Sequence, residues 1–274
     1  MPHALVDGCR IWYQLTGSGP HLVQIGGAIS AHEGYAGITE VMAEHFTVLD
    51  YDHRGYGLSD RPEQRYSMEV WSDDLAGLLD AVGIERLHVH GASMGGFVAA
   101  RFAADHPERV DRLVISGAIA RCDRMARSHF QGWKDIARAY GVDSDELARH
   151  LTTHAFSRRH LDAVDYEQVV KDVRDVTVRN VTTEVFCAAC DAMSEADVTD
   201  LLPRIAAPTL VLVGSEDVLT PLDTGPAGSG MRAMAELIPR ARLEVIEGCG
   251  HGNMFEAPDA SNAAILDFLL GDLS

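Results

Sequence analysis

The sequence predicts an α/β fold, in which a mostly parallel β-sheet is flanked by helices and a helical segment is inserted between two of the strands. Two observations support this prediction. Short apolar runs of strand length alternate with segments of helical periodicity along residues 1–118 and again along 204–274, and this alternation is typical of crossover units in a parallel sheet. Residues 119–203, in contrast, show helical periods and no convincing strand.

The first part of the chain begins with an added antiparallel strand and continues with the strand–helix alternation. The strand from Arg10 to Leu15 follows an Asp7-Gly8 turn. Ser67 can accept a hydrogen bond from the first turn of the helix that it precedes, which favours a helix start there. The other predicted strands are 21–25, 46–52, 86–90 and 112–116, and the predicted helices are 32–44, 67–82 and 97–104.

The second part resumes the alternation with strands at 208–214 and 242–246 and helices at 231–237 and 259–270. We therefore predict two domains. Residues 1–118 and 204–274 form the sheet core, and residues 119–203 form a helical domain inserted between two strands of the sheet.

Charge and hydropathy exclude several classes of function. The chain has 274 residues, with 41 acidic and 23 basic side chains, and a formal net charge of −18. Such a charge disfavours a phosphate-binding surface, so no nucleic-acid partner is expected. The longest apolar run, Ala263 to Leu270, is interrupted by Asp267 and is far shorter than a membrane span of about 20 residues. No membrane partner is expected either.

The cysteines indicate a reducing compartment. The five thiols are an odd, scattered set that does not resemble a disulfide framework, and the first ten residues contain no apolar signal core. We therefore expect a cytoplasmic protein. Cys187 and Cys190 form a C-x-x-C pair on a predicted helix, but there is no second pair to complete a zinc site, so we predict no metal.

A G-x-S-x-G motif lies where a predicted strand passes into a helix. In Gly91-Ala92-Ser93-Met94-Gly95 the serine would occupy a tight turn with its hydroxyl exposed. The N–H group that follows the serine can stabilise an oxyanion at the helix N-terminus. A small-residue turn without chemistry would explain the motif alone equally well.

Asp217 and His251 supply the partners that a serine nucleophile needs. Each follows a predicted strand, at the carboxyl end where open parallel sheets bind ligands. A serine hydroxyl needs an imidazole to remove its proton, and a carboxylate then orients that imidazole. Either residue alone has an ordinary interpretation, Asp217 as a turn residue and His251 as one of 13 histidines. Their joint placement, in the order Ser…Asp…His, favours a catalytic triad.

These motifs resemble the α/β-hydrolase superfamily over essentially the whole chain. The loop Asp52-His-Arg-Gly-Tyr-Gly-Leu-Ser59 matches the family's D-x-R-G-x-G-x-S pattern, and Ser93-Met94-Gly95-Gly96 matches its S-M-G-G elbow. The sequence is most similar to small bacterial esterases, enol-lactonases and cofactor-free haloperoxidases, and C–C bond hydrolases are also close. The resemblance implies the α/β-hydrolase fold, no cofactor, and a helical cap formed by residues 119–203 over the active site.

The resemblance also implies an oxyanion hole and an apolar pocket. The family usually has His-Gly after the first parallel strand, where this chain has Gly26-Gly27. By that alignment the oxyanion donors are the backbone N–H groups of Ala28 and Met94. Packing between cap and core explains several candidate pocket residues equally well. The candidate pocket residues are Ile29, Trp133, Phe156, Phe186, Met193 and Leu219.

Other candidates are weaker. Asp123 follows the strand before the insertion, where some relatives keep their acid, so it is the alternative third member of the triad. Arg124, Arg127, Arg158 and Arg159 lie in the insertion, where they could recognise a substrate carboxylate or simply be solvated. His88 and His90 share one face of a strand, where they could bind a metal but are rather expected to be hydrogen-bonded in the core. Arg54 is expected to stabilise its own loop.

One polar loop between the predicted strands has two interpretations. Thr224 to Gly230 is interpreted as a short insertion that forms a surface loop, with a gate at the pocket entrance as the alternative. The oligomeric state is not predicted.

The predicted function is hydrolysis of a small-molecule carboxylic ester or lactone by a serine hydrolase that forms an acyl-enzyme on Ser93. Three alternatives use the same fold. These are C–C bond hydrolysis of a vinylogous diketone, perhydrolysis, and ligand binding by a non-catalytic receptor. Haloalkane dehalogenases and epoxide hydrolases are disfavoured because their nucleophile is an aspartate, whereas this elbow carries Ser93.

Overall fold

The structure is a computed structural model that describes residues 2–225 and 228–271. In chain order its strands are β1 (His3–Val6), β2 (Cys9–Gly17), β3 (His21–Ile25), β4 (Thr47–Tyr51), β5 (Leu87–Ala92), β6 (Val110–Ser116), β7 (Thr209–Gly214) and β8 (Ala241–Ile246). Its helices are α1 (Ala36–Met42), α2 (Met68–Val82), α3 (Met94–Asp105), α4 (Arg124–Tyr140), α5 (Asp145–Ala155), α6 (Arg158–Ala163), α7 (Tyr166–Asn180), α8 (Thr183–Glu195), α9 (Met231–Leu237), α10 (Asn253–Glu256) and α11 (Pro258–Leu270).

The described strands form one sheet in the order β1-β2-β4-β3-β5-β6-β7-β8. Strands β1 and β2 form a hairpin and β2 pairs antiparallel with β4, while all the other pairs are parallel. Every residue of β5 and β7 is buried, as expected for central strands with helices on both faces. The predicted fold class is confirmed. Strand β1 was missed because four residues carry too little periodicity to indicate a strand.

Five helices, α4 to α8, lie between the neighbouring strands β6 and β7. A short antiparallel contact closes the base of this segment, where the N–H of Val198 donates to the carbonyl of Ala120 and the N–H of Cys122 donates to that of Ala196. The segment between the predicted boundaries, residues 119–203, is therefore helical. That it forms a separate domain stays a prediction.

The parallel strands bring distant residues to one edge of the sheet. Because β5, β6, β7 and β8 are adjacent and parallel, the residues that follow them lie at the same carboxyl edge. Ser93 follows β5, Asp217 follows β7 and His251 follows β8. Within the part of the chain that the structure describes, no helix combines the length and the apolar character needed to span a bilayer.

Two histidines lie unprotonated in the core and make the fold sensitive to acid. His53 and His90 are both at most 1% exposed, and burial lowers the pKa of each to about 4. An unfolded chain binds these protons near about pH 6.5. The free energy of unfolding therefore has its full value above about pH 6.5. As the pH falls towards 4, it decreases by roughly 3 kcal/mol for each of the two histidines.

We expect the free energy of unfolding of His90→Gln to fall less between about pH 7 and about pH 4.5 than that of the wild type, as measured by urea titration. The matched control is His45→Gln, because His45 is exposed. A parallel loss in His90→Gln and wild type would show that other groups cause the acid sensitivity.

Candidate active site

Ser93 stands on a strained turn. It follows Ala92, the last residue of β5, and precedes Met94, the first residue of α3. Its backbone has a φ of +56°, and among the described residues Asp7 is the only other non-glycine residue with a positive φ. Side-chain-bearing residues rarely adopt this region unless the surrounding structure holds them there. The turn thus presents Ser93 at the carboxyl edge of the sheet.

Gly91 and Gly95 permit this turn because three backbone segments meet around it. A Cβ at Gly91 would overlap the carbonyl oxygen of Gly95, and a Cβ at Gly95 would overlap the carbonyl oxygen of Ile25 in β3. Both obstacles are backbone atoms, so rotation of a side chain cannot relieve them. The G-x-S-x-G spacing is therefore a packing requirement where β3, β5 and α3 converge.

Asp217 and His251 are in direct contact at the same edge. The Oδ2 atom of Asp217 lies 3.0 Å from Nδ1 of His251. Its Oδ1 atom accepts hydrogen bonds of 2.8 Å from the N–H groups of Leu219 and Thr220. With Nδ1 engaged by the carboxylate, Nε2 is the ring nitrogen that remains available for proton transfer.

The surroundings of Asp217 favour its ionised form. Burial acts to raise the pKa of this carboxyl group, but the adjacent His251 and the hydrogen bonds from Thr220 together lower the pKa below its usual range. A charged carboxylate at this position stabilises an imidazolium on His251. The pair can therefore support transfer of a proton from a hydroxyl to the imidazole.

Thr220 is a member of this network that the sequence did not indicate. Its hydroxyl donates to Oδ2 of Asp217 at 2.6 Å and lies 3.0 Å from Nδ1 of His251. If the predicted ester hydrolysis takes place at this site, we expect Thr220→Val to lower its kcat by about tenfold, because one charge-assisted hydrogen bond is lost. Steady-state kinetics on a p-nitrophenyl ester measures this effect.

The control for Thr220 is Thr220→Ser, which keeps the hydroxyl and should retain most of the activity. If the valine variant is as active as wild type while the serine variant is impaired, the methyl group of Thr220 matters and the hydrogen bond does not.

Tyr56 joins the two segments that carry the predicted oxyanion donors. Its hydroxyl donates to the carbonyl of Ala28 at 3.2 Å and contacts Sδ of Met94 at 3.7 Å. Ala28 lies in the loop after β3, and Met94 opens α3. A Cβ at Gly27 would lie 3.1 Å from Cβ of Ser93. The Gly26-Gly27 pair therefore lets this loop pass close to the serine.

Two polar contacts fix the loop after β3 from either side. The buried carboxylate of Asp52 accepts hydrogen bonds of 2.8 Å from the N–H groups of His32 and Leu58. Asn180, at the end of α7, donates from Nδ2 to the carbonyl of Ile29 at 3.2 Å. Both the sheet core and the inserted helices thus determine where this loop stands.

The inserted segment also contacts the loop that carries His251. The N–H of Gly252 donates to the carbonyl of Ala155 at 2.6 Å. The carboxylate of Glu256 accepts hydrogen bonds from the N–H groups of both Gly250 and Ser157. The last residue of α5 therefore holds Gly252 directly, and Glu256 links Gly250 to Ser157, which follows α5.

A cavity of about 140 Å³ opens beside Ser93 and His251, between the sheet edge and the inserted helices. Its wall is mainly apolar. The lining residues are Gly27, Ala28, Ile29, Ser30, Gly34, Tyr35, Ala92, Ser93, Ser116, Trp133, Leu151, Ala155, Val173, Leu219, His251, Gly252, Met254 and Phe255.

The structure places three of the predicted pocket residues in this wall, namely Ile29, Trp133 and Leu219. The other three predicted residues are not among the lining residues. Phe186 and Met193 are at most 1% exposed and lie on α8, which packs against α4. Phe156 stacks on His160 with ring centroids 5.1 Å apart.

Sequence reasoning missed Leu151, Ala155 and Val173, which line the cavity from α5 and α7. Leu151 and Ala155 are four residues apart and so share a helix face. That spacing identifies a face, but it does not tell which element the face contacts.

Comparison with known proteins assigns the chain to a family. The sequence model of the alpha/beta hydrolase fold matches residues 20–258. The chain belongs to the α/β-hydrolase family. It is therefore a member of a family of hydrolases, and its fold agrees with that membership.

This α/β hydrolase is similar to several proteins with different stated activities. It is 31% identical to a putative carbamate hydrolase RutD from a Caulobacter species, over 85% of this chain and 84% of the relative. It is 30% identical to a 2-hydroxymuconate semialdehyde hydrolase from a Pseudomonas species, over 97% and 92% of the two chains. The crystal structure of an enol-lactonase from Burkholderia xenovorans superposes with a TM-score of 0.84 at 28% identity, over 98% of this chain and all of that one.

Asp123, the alternative acid, has a different environment in this α/β hydrolase. Its Oδ1 atom accepts hydrogen bonds from the N–H groups of Met125 and Ala126 and so caps α4. Its Oδ2 atom accepts a hydrogen bond from Ser229 at 3.2 Å. This serine also bonds Thr224, so the predicted 224–230 insertion contacts the start of the inserted helices. Residues 226 and 227 lie outside the described residues.

Other polar candidates have structural partners. Arg54 forms a buried ion pair with Asp74, with 2.8 Å between Nε and Oδ2. His90 lies 3.0 Å from Oγ of Ser116 through Nε2, as expected. The expectation for His88 was wrong, because its ring packs in a T-shaped arrangement with Phe46 and its buried Nδ1 has no hydrogen-bond partner among the described residues.

The C-x-x-C pair lies in the core. Cys187 and Cys190 are both buried thiols, and burial raises the pKa of each. Over residues 2–225 and 228–271, no group of three or more histidine, cysteine or acidic side chains is placed to hold a metal ion.

Proposed function

We propose that this α/β hydrolase cleaves a carboxylic ester or lactone through an acyl-enzyme, with Ser93 as nucleophile, His251 as general base and acid, and Asp217 as the group that orients His251. One observation carries the proposal. A strained serine and a histidine paired with a buried carboxylate open onto the same cavity. This combination of roles is what acyl transfer by a serine requires.

The reaction proceeds in two halves. Oγ of Ser93 attacks the carbonyl carbon while Nε2 of His251 takes the hydroxyl proton. The resulting oxyanion accepts hydrogen bonds from the N–H groups of Ala28 and Met94. The bond to the leaving oxygen then breaks, and the imidazolium returns its proton to that oxygen.

Water completes the cycle. It attacks the acyl carbon as His251 removes its proton, and the same two N–H groups hold the second oxyanion. Collapse of this intermediate releases the carboxylic acid and returns the proton from His251 to Oγ of Ser93. For a lactone, the leaving oxygen becomes a hydroxyl group on the acyl chain and remains part of the hydroxy acid that this step releases.

A fluorophosphonate probe tests the proposal together with p-nitrophenyl esters of graded acyl length and a panel of lactones. The probe should label Ser93 alone, and at least one ester or lactone should be turned over. Labelling at another residue, or an enzyme that is inert to every member of both panels, would contradict the proposal.

A second candidate is C–C bond hydrolysis on the same triad. It is supported by the 30% identity to the 2-hydroxymuconate semialdehyde hydrolase over 97% of this chain. Turnover of a vinylogous diketone produced by ring cleavage, with no reaction on simple esters, would favour this alternative.

We place the reaction in the cytoplasm. All five cysteines are buried free thiols, and unpaired thiols are typical of a reducing compartment. Fractionation of cells that produce the chain at its natural level tests this placement.

A further inference from the structure

We infer that the substrate of this site is uncharged, and that the group it buries has about the size of a benzene ring. The inference rests on the proposed function, because it assigns the class of ester or lactone that the cavity accepts.

The cavity wall contains no lysine, arginine, aspartate or glutamate among the lining residues that the structure describes. Several of its polar groups already have protein partners. The hydroxyl of Tyr35 donates to the carbonyl of Ile25 at 3.0 Å, and the hydroxyl of Ser116 pairs with Nε2 of His90. A charged substrate group in this wall would lose its water and gain no opposite charge.

The wall behind Trp133 is uncharged as well. Nε1 of Trp133 donates to Nδ1 of His154 at 2.9 Å, so this histidine nitrogen carries no proton. Burial, together with the neighbouring His129, His150 and His251, lowers the pKa of His154 to about 4. At neutral pH this imidazole is therefore neutral, its acceptor nitrogen is engaged by Trp133, and it provides no positive charge for a carboxylate.

The arginines of the inserted segment do not reach the cavity. Arg127 donates to the carbonyls of Ser194 and Cys122, and Arg159 donates to that of Gly248. Arg124 and Arg158 are exposed. None of these four arginines is among the lining residues. The sequence-based possibility of a carboxylate-binding arginine in this segment thus has no support from their positions.

The net charge of −18 also disfavours an anionic substrate. A strongly negative protein lowers the local concentration of anions and slows their association, whereas a neutral substrate is unaffected. One relative has a substrate whose name, 2-hydroxymuconate semialdehyde, is that of a carboxylate. The neutral cavity therefore disfavours that charged substrate for this chain.

The volume of the cavity limits the size of the buried group. An apolar cavity of about 150 Å³ admits a benzene molecule, and this cavity measures about 140 Å³. A linear acyl chain of about four to six carbons is comparable in size to a benzene molecule. Longer acyl chains would have to extend out of the cavity beside Phe255, which lines the cavity and is 58% exposed.

The test compares two esters of equal acyl length, p-nitrophenyl pentanoate and the p-nitrophenyl monoester of glutaric acid. Only the second carries a carboxylate at the far end of the chain. We expect its kcat/KM to be at least about 100-fold lower, because the cavity offers that charge no partner. In the series from acetate to dodecanoate, the rate should peak at about four to six carbons.

A variant introduces the missing charge. Val173 lies on α7, is half-buried and lines the cavity. Val173→Arg should narrow the difference between the two esters by at least about tenfold, and the neutral control Val173→Met should not. If circular dichroism shows that Val173→Arg is unfolded, the comparison of the two esters on the wild-type enzyme decides the question.

The outcomes separate this inference from the proposed function. Equal rates on the two esters, or a preference for the glutarate ester, would overturn the neutral substrate and leave the triad standing. Labelling of Ser93 by the fluorophosphonate with no turnover of either ester would also overturn the inference alone. Failure of the probe to label Ser93 would overturn the proposed function and the inference with it.

Discussion

Ser93→Ala is expected to lower ester hydrolysis by about 10⁴-fold or more, because the nucleophile of the proposed acyl transfer is removed. The fold should persist, since the substitution removes only one hydroxyl group, which faces the cavity. Loss of turnover, together with loss of fluorophosphonate labelling, measures the effect. Circular dichroism and urea titration confirm that the variant is folded.

A second serine separates loss of chemistry from loss of stability. Ser67 caps α2, and its hydroxyl accepts a hydrogen bond of 3.2 Å from the N–H of Val70. Ser67→Ala should lower the free energy of unfolding by about 1 kcal/mol and leave the turnover number unchanged. Retained ester hydrolysis in Ser93→Ala would show that another residue is the nucleophile.

Asp217→Asn is expected to lower kcat by about 10⁴-fold, the cost of the equivalent change in a comparable triad. The asparagine keeps the shape of the side chain, but it removes the negative charge that stabilises the imidazolium and favours the wrong tautomer of His251. Assays above pH 7 and circular dichroism on the same preparation provide the measurement.

Asp123→Asn is the matched control for the acid. Its Oδ1 atom accepts the capping hydrogen bonds at the start of α4, and an asparagine carbonyl can accept the same bonds. We expect activity close to that of wild type. If Asp123→Asn is the crippled variant and Asp217→Asn is active, the acid follows β6 rather than β7.

The elements that the sequence predicted well are those whose signals are local. Alternation of short apolar runs with helical periods predicted the parallel sheet, and Ser67 predicted the start of α2 to within one residue. Helix α3 begins at Met94, earlier than the predicted residue 97, because the strained turn at Ser93 allows the helix to start directly after it. Strand β1 and helix α10 are four residues each, too short for periodicity to be visible.

Local sequence signals did not predict which buried residues line the cavity. Trp133 and Phe186 both lie on inserted helices and both are large and apolar, yet only Trp133 lines the cavity. Hydrophobicity indicates that a residue is buried, but not whether it faces the cavity or a neighbouring helix. The contacts of Tyr56 and Asn180 with the loop after β3 had no sequence signal, since each joins segments that are far apart in the chain.

The sequence by itself determined the class of fold, the strained position of Ser93 and the family of the chain. These follow from glycine spacing and periodicity, which constrain the backbone over a few residues. Only the tertiary structure decided that Asp217 rather than Asp123 contacts His251, that Thr220 joins them, and that no lysine, arginine, aspartate or glutamate is among the described residues of the cavity wall. The first two properties depend on where the loops after β7 and β8 stand, and the third depends on which faces the inserted helices turn towards the sheet. Packing between distant segments sets both.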